Sequence, residues 1–128
     1  MTHVYVDADA AEISGSGDRS VDADAVRALS FLTGDHDIVL VAAPDQEPPA
    51  DLRTLASQTV SEVPGHPSEL SWYLTADVDR CTGTSARLRT VLIGAAPPSG
   101  SVHRCDSVAR DIQAAVMEIL ASEAMPSR

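Results

Sequence analysis

Short apolar runs, each closed by proline, glycine or acid, recur along this 128-residue chain and alternate with segments of helical spacing. A run too short for a helix and bounded by chain breakers reads as a strand, and one that is apolar at consecutive positions reads as a strand buried on both faces. Thr2–Val6, Asp37–Val41, Thr59–Val63, Ser71–Thr75 and Arg89–Gly94 fit this description. Between them, Ala25, Val26, Leu29 and Leu32 recur at helical spacing within a segment from Ser20 or Asp22 to Thr33, and Gly34 is placed to end that helix in a left-handed conformation. Pro48–Ser57 carries Leu52, Leu55 and Ala56 on one face. Asp106–Glu123 carries a longer stripe through Val108, Ala109, Ile112, Ala115, Val116, Ile119 and Leu120. This alternation predicts an α/β fold: a five-stranded, mostly parallel, Rossmann-like sheet with helices on both faces, a three-layer α/β/α sandwich.

Size and composition narrow the architecture further. The chain suits one domain over residues 1–128, with 11–20 as a Gly- and Ser-punctuated flap and 124–128 as a disordered tail. One Trp, two Tyr and one Phe leave the core to Val, Leu, Ile and Ala, the composition of parallel strands covered by helices. A formal net charge of −10 gives a nucleic-acid backbone no long-range reason to approach. All nine basic residues are Arg, so no Lys ammonium is available to any site. Cys81 and Cys105 have neither metal-ligand nor redox-motif spacing and read as free thiols of a reducing compartment. With no long apolar stretch and no export-like leader, the expected setting is the cytoplasm, away from membranes.

The pentapeptide Val-Asp-Ala-Asp-Ala occurs twice, at Val6–Ala10 and Val21–Ala25, in different contexts. The first copy follows a strand and sets Asp7 and Asp9 at its carboxyl end, where ligands bind in open α/β sheets. The second opens a helix, where Asp22 and Asp24 complement the macrodipole. A further pair, Asp77 and Asp79, follows the Ser71–Thr75 strand. Carboxylates converging from two strand ends repel each other unless a hard cation lies among them, and Mg²⁺ held by such oxygens presents an open face to phosphate.

In these residues the chain resembles the haloacid-dehalogenase-like hydrolases. The resemblance rests on His3-Val4-Tyr5-Val6-Asp7-Ala8-Asp9 as the first motif, Ile38–Val41 as the second-motif strand, Trp72–Asp77 as the fourth, and Thr90–Gly94 with the last helix as the family's carboxyl end. It implies a capless Mg²⁺-dependent phosphohydrolase acting on a small phosphorylated molecule. Asp7 would be the nucleophile that forms an aspartyl-phosphate and Asp9 the acid/base, with Mg²⁺ held by Asp7, by Asp9 through its backbone, by Asp77 and with help from Asp79.

Two departures from the family stand out. Ala42-Ala43 occupies the place of the second-motif Ser or Thr, and the Lys of the third motif has no counterpart. His66 lies near the position of that Lys, and Arg104 is a further candidate phosphate contact. Loss of two preorganised donors costs on the order of 10⁴ in rate, so the expected activity is slow or absent. The alternative is a module that keeps the fold as a binding or interaction unit. A lesser one is a PIN-like metal-dependent nuclease, similar in Val-Asp-Ala-Asp-Ala and Leu74-Thr75-Ala76-Asp77.

Overall fold

The computed structural model describes residues 2–11, 23–45, 47–48, 50–64, 67–81, 87–94 and 105–124. Six strands, β1 (Thr2–Asp7), β2 (His36–Val41), β3 (Gln58–Val60), β4 (Ser71–Thr75), β5 (Leu88–Ile93) and β6 (Ser107–Ala109), form one sheet in the order β3-β2-β1-β4-β5-β6. Every pairing is parallel. Three helices accompany them: α1 (Ala23–Ser30), α2 (Ala50–Leu55) and α3 (Ile112–Ala124). The α/β class and the parallel sheet follow the reading of the sequence, with six strands in place of five.

The sixth strand lies inside the segment whose spacing predicts a helix from Asp106. Two side chains divide that segment. Asp106 doubles back on β5, its backbone N–H donating to the Thr90 carbonyl at 2.9 Å and its Oδ2 accepting from the Thr90 N–H at 2.7 Å. Ser107–Ala109 then continues alongside β5. Asp111 accepts from the Ala114 N–H at 2.7 Å, an N-terminal cap that fixes the start of α3. Val108 and Ala109 thus belong to the sheet, although their spacing also matches the helix.

Strand alternation sorts the core into two clusters. Val4 and Val6, Ile38 and Leu40, and Trp72 and Leu74 face α1, α2 and α3, joining Leu29, Leu52, Val116 and Ile119. Tyr5, Val39, Val41, Tyr73 and Leu88 form a smaller cluster on the opposite face, with Val60 and Val63 against it. The buried residues of all three helices belong to the first cluster, and the helical layer expected on the second face has no counterpart among the described residues.

The exit from α1 differs from expectation too. A series of tight turns closes it, with Phe31, Leu32 and Thr33 N–H groups bonding to carbonyls three residues back, which satisfies the helix's last acceptors. Among the described residues, the glycine with positive φ is Gly94, not Gly34. At φ 116° after β5, Gly94 turns the chain where a side chain would be strained, and its N–H reaches the Ala109 carbonyl at 2.8 Å. At the amino end of the sheet, the buried His36 links the α1 exit to α3: Nδ1 lies 3.1 Å from the Leu32 carbonyl and Nε2 2.7 Å from Glu123.

Candidate functional site

Parallel register places the site. Tyr5 pairs with Tyr73 and Val6 with Leu74, so the next step along both strands sets Asp7 beside Thr75 at the carboxyl ends of β1 and β4. The two-residue period turns Tyr5, Asp7, Tyr73 and Thr75 to the face opposite the helices. Asp7 is 2% exposed, a carboxylate at the floor of the site rather than at its surface.

A buried carboxylate needs donors, and three converge on this one. Tyr73 donates its phenolic O–H to Oδ1 at 2.8 Å, and Thr75 donates its hydroxyl to Oδ2 at 2.5 Å. The Arg80 guanidinium donates Nη1–H to the same Oδ2 at 2.8 Å. Arg80 comes from a short 3₁₀ turn, Val78–Arg80, that follows β4. Asp77 caps the turn by accepting from the Asp79 N–H at 3.0 Å, while its own N–H donates to Thr75 Oγ1 at 3.1 Å. Arg80 Nε also lies 3.7 Å from Asp77 Oδ2, so one guanidinium is ion-paired to both strand-end acids.

Electrostatics reinforce the arrangement. Burial, and then the adjacent Asp7 charge and hydrogen bond, push the Tyr73 phenol well above its ordinary value of 10.0. The same Asp7 charge raises Arg80, favouring its cationic form. Burial alone raises Tyr5.

The predicted site residues separate into two groups. Asp7 and Asp77 are brought together, with Arg80 between them. Asp9 leaves the strand: it sits in a 3₁₀ turn, Ala8–Ala11, with its side chain exposed at the wall of an open cavity. Asp79 is exposed on the Val78–Arg80 turn. His66 and Arg104 lie outside the described residues, as do most of the expected flap, Asp22 and the tail beyond Ala124.

Tyr73, Thr75 and Arg80 are the site residues that sequence reasoning passes over. Their signal was the alternation along β4: once Trp72 and Leu74 are assigned to the core, Tyr73 and Thr75 must share the face of Asp7. Arg80, three residues after Asp77 in a short turn, carries no such periodic mark.

The arrangement does not fit a resident Mg²⁺. That ion takes oxygens at about 2.0–2.1 Å in near-octahedral geometry. Asp7 Oδ2 already accepts from a hydroxyl and a guanidinium, and a divalent cation beside that guanidinium would meet like charge.

The cavity has a volume of about 520 Å³ and opens at the carboxyl ends of β1–β3. Val41, Ala42, Ala43, Pro44 and Val63 make an apolar wall, and Asp9, Ser61, Glu62, Tyr73 and Arg80 bring polar groups to it. Ala42 and Ala43, at the expected second-motif position, offer that wall no side-chain donor.

Cys81, directly after Arg80, is joined to Cys105 in a disulfide, correcting the reading of both as free thiols. Sequence spacing gave no sign of it, because the pairing depends on β5 and β6 bringing Cys105 next to the β4 exit. The thiol argument for a reducing compartment therefore lapses. Among the described residues, no helix is long and apolar enough to cross a membrane.

No family model matches the chain, and neither a curated protein nor a solved structure matches it.

Proposed function

We propose that this chain is a non-catalytic binding module on a Rossmann-like frame, in which Arg80 rather than a divalent cation neutralises the strand-end carboxylates. The carrying observation is the pairing of one guanidinium with Asp7 at 2.8 Å and Asp77 at 3.7 Å. A guanidinium has five N–H donors in a fixed fork, so donors remain for a ligand after these contacts. Arg80 is 46% exposed and lines the cavity. A small molecule with hydrogen-bond acceptors placed there would meet the remaining donors of Arg80 and set its apolar part against the Val41–Pro44 wall.

The second reading is a capless, haloacid-dehalogenase-like phosphohydrolase using Mg²⁺, with Asp7 as nucleophile and Asp9 as acid/base. What favours it is the position of Asp7 at a strand's carboxyl end and of Asp9 at the cavity wall. Against it stand the three donors held by Asp7 and the alanines at Ala42 and Ala43. One assay separates the two: hydrolysis of a phosphomonoester panel with Mg²⁺ by the wild-type protein and by Asp7→Asn. The binding-module reading expects equal background rates from both. Turnover by the wild type that Asp7→Asn abolishes would establish the phosphohydrolase instead.

A further inference from the structure

We infer that the Cys81–Cys105 disulfide is a redox-sensitive clamp that positions Arg80 over Asp7 and Asp77. This inference rests on the proposed role of Arg80 and deepens it by adding regulation of the same site.

The turn that presents Arg80 is three residues long, and a single 3₁₀ turn has little rigidity of its own. Its internal restraints are the Asp77 cap, the Arg80 N–H bonded to the Asp77 carbonyl at 3.0 Å and the Cys81 N–H bonded to the Val78 carbonyl at 3.2 Å. Two hydrogen bonds tie it back to the sheet, the Asp77 N–H donation to Thr75 Oγ1 and the Arg80 donation to Asp7 of β1. The disulfide adds a covalent anchorage, at the opposite end of the turn. Cys105 immediately precedes Asp106, which is bonded twice to Thr90 of β5, and then β6. Arg80 is thus held between β4 on one side and the β5–β6 edge on the other. Half-exposed and reaching inward to a buried acid, it is placed by this two-point attachment of its turn.

Cys81 is 5% exposed, whereas Cys105 is half-buried, so Cys105 is the less enclosed of the two partners. A dithiol reductant supplies two electrons and two protons: the Cys81–Cys105 bond breaks, two S–H groups form, and the reductant closes to its own disulfide. Reduction frees the Cys81 end of the turn and leaves the Asp77–Thr75 bond and the ion pairs of Arg80 to hold it. Arg80 then samples positions away from Asp7, and the two strand-end acids lose their shared counter-charge.

The test is a double-mutant cycle in which the disulfide and Arg80 are perturbed separately and together, and it needs no ligand. Urea unfolding is measured for oxidised and dithiol-reduced protein, each with the native sequence and with Arg80→Gln. The paired variant Cys81→Ser/Cys105→Ser repeats the reduced arm without reductant. A clamp predicts coupling: Arg80→Gln lowers the folding constant of the oxidised protein by about tenfold more than that of the reduced protein, as for groups that share a network. Equal effects in both states would mean that the disulfide staples the fold without positioning Arg80, and would overturn the inference. Global unfolding on reduction, or two titratable thiols in protein prepared without reductant, would overturn it as well. The phosphomonoester assay is independent of this cycle, so the clamp and the binding-module reading can fail separately.

Discussion

The chemistry of Asp7 is decided by its donors. A carboxylate that is 2% exposed survives because Tyr73, Thr75 and Arg80 supply the hydrogen bonds and charge that water would have given it. Tyr73 makes this measurable through pH. Its folded value is raised above the unfolded value of 10.0, so its contribution to stability is fully present below pH 10.0 and is lost as pH rises towards the folded value. Stability should fall as pH climbs above 10, and the fall should be shallower in Tyr73→Phe, as read from urea midpoints across that range. Identical slopes in the two proteins would mean that neither burial nor Asp7 raises the phenol. Some slope should remain in the variant, because burial raises Tyr5 as well.

At the scale of elements, what could be read from sequence was what repeats. Consecutive apolar residues identify β1, β2, β4 and β5, and three- and four-residue spacing identifies α1 and α3, because both patterns are imposed by burial over several residues. The short β6 escapes: Val108 and Ala109 suit a helix stripe and a strand equally, and the decision falls to Asp106 and Asp111, single side chains with hydrogen-bond roles. Asp111→Ala is expected to lower stability by about 1 kcal/mol, the usual effect of losing an N-terminal cap. Thermal or urea unfolding checks it, and an unchanged midpoint would return the start of α3 to propensity alone. The same logic applies at the site. Asp7 and Asp77 were legible as acids at strand ends, whereas Arg80 and the disulfide beside it depend on contacts between residues far apart in sequence.

For the whole molecule, the fold gathers its acids and then answers them locally. With a net charge of −10 and no Lys, the chain places Arg80 at the one point where two strand ends bring Asp7 and Asp77 together. A sheet of order β3-β2-β1-β4-β5-β6 sets those ends side by side at its centre, and the Cys81–Cys105 bond joins the resulting turn to the sheet's far edge. In the proposed module this guanidinium takes the place a divalent ion would need. The direct measurement is a calorimetric Mg²⁺ titration of the oxidised wild-type protein through the millimolar range, with Asp7→Asn alongside. With Arg80 in that place, no saturable binding that depends on Asp7 is expected; a saturable isotherm in the wild type that disappears in Asp7→Asn would show that the site takes the ion.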